Sequence, residues 1–157
     1  MSEFLSELLK AGSVPVTVPI EWSKLVDPTH PIRKVLSHIR LWDAAGHAAL
    51  QKIIDEDDKA NPKWVANSWW FIIAYSLSTK EGISPFLDTW KEIYASYKSV
   101  SPTDTIPPPS IDFHIVGAWL KSQFDLPGGC VLLDPIFPQA MNLNGYNFGK
   151  ENQEAKN

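Results

Sequence analysis

The sequence predicts an all-α fold, a compact bundle of four to five helices with extended, proline-containing N- and C-terminal arms, on three observations. Apolar residues recur at three- and four-residue steps from Ile32 to Ile54, as on one face of an α-helix. Asn61-Pro62 and Ser84-Pro85 each pair a capping side chain with a proline suited to a first helical turn. Prolines also interrupt two apolar stretches, residues 13–22 and 126–138, where they remove backbone donors and favour extension.

In chain order, Phe4, Leu5, Leu8 and Leu9 share one face of a short amphipathic helix over residues 2–11, with Ser2 as cap and Gly12 as stop. Val14 to Ile20 follows as an edge strand or extended arm, because Pro15 and Pro19 cannot donate to a ladder. From Pro31 a long helix is expected through Ile32, Val35, Leu36, Ile39, Trp42, Ala49 and Ile53, with Gly46 as a notch for a neighbouring helix. The acidic run Asp55-Glu56-Asp57-Asp58 opposes the partial negative charge of a helix C-terminus, so the helix should end near it.

Trp64 to Leu77 is apolar around most of its circumference and predicts a central, surrounded helix. After Ser84-Pro85, the residues Phe86, Leu87, Trp90, Ile93, Tyr94 and Tyr97 form one face of another helix, opposed by Asp88, Lys91, Glu92 and Lys98. Pro107-Pro108-Pro109 reads as a stiff connector, and a last helix is expected over residues 110–124. Residues 126–138 then form a second extended arm. These elements make a single helical domain over residues 1–141 and a loosely ordered polar tail over 142–157.

Composition narrows the function. With 157 residues, 44% of them hydrophobic and 20% charged, the chain buries enough apolar surface to fold. Eighteen acidic against 14 basic residues give a net charge of −4, which argues against whole-chain attraction to nucleic acid. The lone Cys130 cannot form an intramolecular disulfide, and residues 1–11 lack the layout of a secretory signal, so an intracellular, soluble chain is expected. The most apolar stretch, Trp64 to Leu77, is too short to span a membrane.

Three chemical candidates emerge. Asp43 and His47, four residues apart on a helix, could pair as a carboxylate-oriented general base, with Arg40 one step back; a local surface ion pair explains the same residues. Arg33, Lys34 and Arg40 form a small basic patch that could meet phosphates. Cys130 beside Gly128 and Gly129 could be a nucleophile with His114 as base, but a small buried side chain is the ordinary role of such a cysteine. The acidic run fails as a calcium loop, since Ala60 or Pro62 falls where the loop needs glycine. No pattern points to a cofactor or a metal.

The leading expectation is a non-enzymatic interaction or assembly module, binding a protein partner or a second copy of itself. Val16, Val18 and Trp22 of the first arm, with Leu132, Ile136 and Phe137 of the second, are the expected contact residues, because an extended apolar arm must be covered by something. A small enzyme using Asp43 and His47, and a nucleic-acid regulator using the basic patch, are the alternatives.

Overall fold

A computed structural model describes residues 2–13, 16–56 and 67–145. They are mostly helical, with one small sheet. The order is α1 (Glu3–Ser13), β1 (Thr17–Pro19), α2 (Ile32–Val35), β2 (His38–Arg40), α3 (Ala44–Glu56), α4 (Asn67–Ser76), β3 (Leu77–Ser78), α5 (Trp90–Lys98), a 3-10 turn (Pro102–Asp104), α6 (Phe113–Phe124), α7 (Pro127–Leu133) and α8 (Ile136–Leu143).

Helix α4 is the centre, as its all-round apolarity requires. Trp69, Trp70, Phe71, Ile72, Ile73, Ala74 and Ser76 are all buried, and α6, α3 and α8 pack against it. One side contributes Trp69, Trp70 and Ile73 to a core shared with Val116, Leu120 and Leu133. The other side gives Phe71 and Ile72 to a second core with Trp42, Leu50, Ile53 and Met141. The α4–α6 crossing is close because Gly117 faces α4: a Cβ there would stand 3.2 Å from the backbone of Trp70 and Phe71.

The long helix expected from Pro31 is divided into α2, β2 and α3. Its middle is the central strand of an antiparallel sheet in the order β1-β2-β3, with Val18 opposite Ile39 and Ile39 opposite Leu77. Flanking bonds from Ile20 N–H to Ser37 O and from Leu41 N–H to Val16 O extend the pairing. Of the expected stripe, Ile32, Leu36, Ile39, Trp42 and Ile53 are buried, but Val35, at the end of the short α2, is 69% exposed and Ala49 only half-buried. Pairing with distant strands satisfies the same backbone groups that a helix would have satisfied locally, and tertiary context overrides the local period. Helix α3 starts at Asp43, whose side chain accepts the Gly46 N–H at 2.8 Å.

The second arm is also corrected. Residues 127–133 and 136–143 are helices. Pro127 stands in the first turn of α7, Pro135 immediately precedes α8, and Pro138 is the third residue of α8. A first turn has no intrahelical acceptor for its N–H groups, so prolines there start helices rather than prevent them. In the first arm Thr17–Pro19 is an edge strand, as expected, while Val14 and Pro15 lie outside the described residues.

Smaller differences have local causes. Ser2 Oγ accepts the Leu5 N–H at 3.2 Å, but α1 passes through Gly12 to Ser13. Residues 85–89 form turns, so the helix after Ser84-Pro85 begins only at Trp90. The last helix, expected over 110–124, starts at Phe113, where Asp112 caps α6 by accepting the His114 N–H at 2.9 Å. Helix α3 ends at Glu56 within the acidic run; Asp57, Asp58 and the Asn61-Pro62 start lie outside the described residues.

Candidate functional site

Asp43 and His47 come together with residues that the sequence did not connect to them. Asp43 ends the stretch after β2, and its Oδ1 accepts both the Gly46 N–H and the Tyr75 hydroxyl, each at 2.8 Å. The Gly46 N–H and then the Tyr75 hydroxyl hold its carboxyl below the usual range. Burial and the bond to Asp43 push the Tyr75 phenol up to about 12.

Arg40 closes this cluster from β2. Its Nε donates to Tyr75 O at 2.8 Å, and its guanidinium lies 4.7 Å from the centre of the Tyr75 ring and 5.3 Å from that of Phe113. Burial lowers the pKa of Arg40. Gly46 makes the arrangement possible, because a Cβ there would meet the Tyr75 ring at 2.5 Å; the expected notch receives an aromatic side chain. His47 packs by its ring edge near Trp42, 5.3 Å between centroids.

The Asp43 carboxylate therefore caps α3 and anchors Tyr75, which ties α3 to α4. The expected pair has Asp43 orienting His47 as the base, but Asp43 Oδ1 is taken by Gly46 and Tyr75 while the His47 ring lies beside Trp42. A hollow of about 420 Å³ lies elsewhere, with Phe71, Tyr97, His114 and Lys121 among its lining residues.

The basic patch is divided as well. Arg33 donates through Nη2 to Val26 O, and Arg40 turns inward to Tyr75. Lys34 is exposed on α2, whereas Arg40 is on β2, so the three do not share one helical face. Cys130 is buried, its Sγ donates to Phe124 O at 3.4 Å, and burial pushes its thiol up. Among the described residues no cluster of three or more His, Cys, Asp or Glu side chains could hold a metal, and no helix is long and apolar enough to cross a membrane.

The expected contact residues of the two arms are mostly covered by their own chain. Val18, Trp22, Leu132 and Phe137 pack against the main core, Phe137 stacking on Trp69 at 6.0 Å, and Ile136 is completely buried. Val16 alone of the six is an exposed side chain. The arms also hold each other: Gln139 on α8 accepts the Glu21 N–H at 2.8 Å and donates to Glu21 O at 2.7 Å. Such a clamp has no local signal, since it joins residues far apart in the chain. Ile136 is thus corrected from a contact residue to a core residue, because the helix that replaces the extended arm turns it inward.

Large apolar side chains are exposed singly at Leu25, Val35, Ile106 and Leu126, and as a run of four on α1. Phe4 is 74% exposed, and Leu5, Leu8 and Leu9 are exposed beside it. Every α1 residue from Glu3 to Gly12 except Ser6 is exposed. The one-sided stripe was legible in the sequence; that no element among the described residues covers it was not.

A shallow trough of about 260 Å³, of mixed polar and apolar lining, lies between α5 and α6, formed by Ser96 and Tyr97 on one side and Ile115, Ala118, Trp119 and Ser122 on the other. Tyr97, expected on the inward face of its helix, is 56% exposed at its edge. No protein-family model matches the chain, and no curated protein or solved structure matches it.

Proposed function

We propose that the chain is a non-enzymatic interaction or assembly module, a helical bundle built round α4 that docks on another protein chain through α1. The observation that carries this reading is the bare stripe of Phe4, Leu5, Leu8 and Leu9. Four large apolar side chains on one face of a short helix, with Glu3, Glu7 and Lys10 elsewhere on its circumference, have the layout of a helix that lies in an apolar groove. Contiguous apolar surface left in water marks an interaction site more often than scattered residues do. The docking role thus moves from the arms to the helix that precedes them.

The test is a photoreactive amino acid at position 8 of the full chain, irradiated in native extract. An adduct of higher mass that disappears when Phe4 and Leu5 are replaced by serine is expected. A chain that forms no such adduct removes the reading.

A further inference from the structure

Asn144 and Gly145 close α8, and each stands there for its own structural reason. Gly145 has a φ of 90°, a conformation that residues with a side chain rarely adopt, and its N–H donates to Asn142 O at 3.2 Å. Asn144 ties the end of α8 to the stretch around the end of β2. Its Oδ1 accepts the Trp42 N–H at 2.7 Å, and its Nδ2 donates to Ala140 O at 2.8 Å and, by a longer bond, to Arg40 O at 3.5 Å. Side by side they make an Asn-Gly pair, in which glycine puts no side chain in the way when its nitrogen attacks the preceding side-chain amide.

We propose that Asn144 is a site of spontaneous covalent modification: it deamidates when the end of α8 opens, and its product releases α8 from β2. This inference is independent of the docking role of α1. In the reaction the Gly145 nitrogen bonds to Asn144 Cγ and the Cγ–Nδ2 bond breaks. Nδ2 leaves as ammonia, taking the proton that the Gly145 nitrogen gives up. Water then opens the cyclic imide at one carbonyl or the other and leaves aspartate or isoaspartate at position 144. No atom is oxidised or reduced.

The folded chain holds this reaction back. At a ψ of 12° the Gly145 nitrogen is turned to the side of Asn144's own backbone nitrogen, whereas ring closure needs it alongside Cβ. The Gly145 N–H and the Asn144 amide are also engaged by the bonds above, and the turn that starts the attack breaks them. All of these contacts sit at a helix end, where local opening costs less than global unfolding.

The product cannot rebuild the tether. Aspartate can still accept the Trp42 N–H, but it has no donor for Ala140 O or Arg40 O and sets a negative charge against both carbonyl oxygens. Isoaspartate also adds a carbon to the main chain and moves the cap out of register. Arg40 and Trp42 carry the side chains that bond Tyr75 O and Ser76 Oγ, so the loss is felt where β2 meets α4. Conversion is irreversible and leaves a one-way record of opening.

The experiment incubates the full chain in mildly alkaline buffer with and without urea, and follows position 144 by peptide mass, with isoaspartate located by fragmentation. Asn142, exposed and followed by Leu143, is the internal control. In urea Asn144 is expected to convert well ahead of Asn142. Without urea its conversion should be slower by about tenfold or more, because the reaction must await opening. Asn144→Asp, which writes the product into the chain, should melt several degrees below wild type. The inference is overturned by an Asn144 that converts equally fast with and without urea, by one that stays intact in urea, by as much conversion at Asn142 as at Asn144, or by an Asn144→Asp variant that melts with wild type.

Discussion

Helices α4 and α1 both carry large apolar side chains, all round in α4 and on one face of α1, and these meet opposite fates. The apolar residues of α4 are enclosed on all sides by α3, α6 and α8, whereas the four large apolar residues of α1 are exposed. Apolarity is therefore a demand for cover, and the location of the cover decides whether a residue stabilises the fold or serves a partner.

The sharpest way to break this comparison is to truncate one large side chain in each helix. Trp70→Ala should cost about 3–5 kcal/mol through the cavity it leaves among buried neighbours. Leu8→Ala should change the stability of the monomer by no more than about 0.5 kcal/mol. Urea unfolding measures both, and a loss at Leu8 approaching that at Trp70 would mean that α1 belongs to the packed fold.

A second comparison sets α4's contact with α3 against the open side of α1. Gly46→Val puts its side chain where the Tyr75 ring lies, and overpacking should cost about 1–3 kcal/mol. Gly12→Ala, where an added Cβ meets nothing within 4 Å, should be neutral or slightly stabilising, by up to about 1 kcal/mol. Thermal melts of the two variants at low protein concentration read the difference.

The smallest expected effect concerns the bond that ties α3 to α4. Tyr75→Phe removes the hydroxyl that donates to Asp43 and should cost about 1 kcal/mol. Because the folded phenol ionises at about 12 rather than 10, the unfolded chain loses its proton first as pH rises. Its stabilising contribution is complete below pH 10 and is lost as pH climbs through about 12. Tyr75→Phe should therefore flatten the alkaline fall in stability, and an unchanged slope would show that another group governs it.

Much of the fold was readable. The central helix, the solvent face of α5, the notch at Gly46 and the edge position of β1 follow from apolar period, charge and proline placement. Asp43 carried a signal that was read for chemistry instead: aspartate is a favoured N-cap residue, and it caps α3 where the helix resumes after β2. The Tyr75–Asp43 bond and the Gln139–Glu21 clamp had no comparable signal, because each joins elements distant in sequence.

By itself, the sequence determined most of the side chains that turn inward along residues 32–53, Val35 excepted, and which helix lies at the centre, since the free energy of burying apolar surface depends on local pattern and side-chain size. Only the tertiary structure decided that residues 38–40 pair as a strand, that residues 127–133 and 136–143 are helical, and that no described element covers α1. Strand pairing and cover are supplied by remote segments, and no local period records where those segments will be.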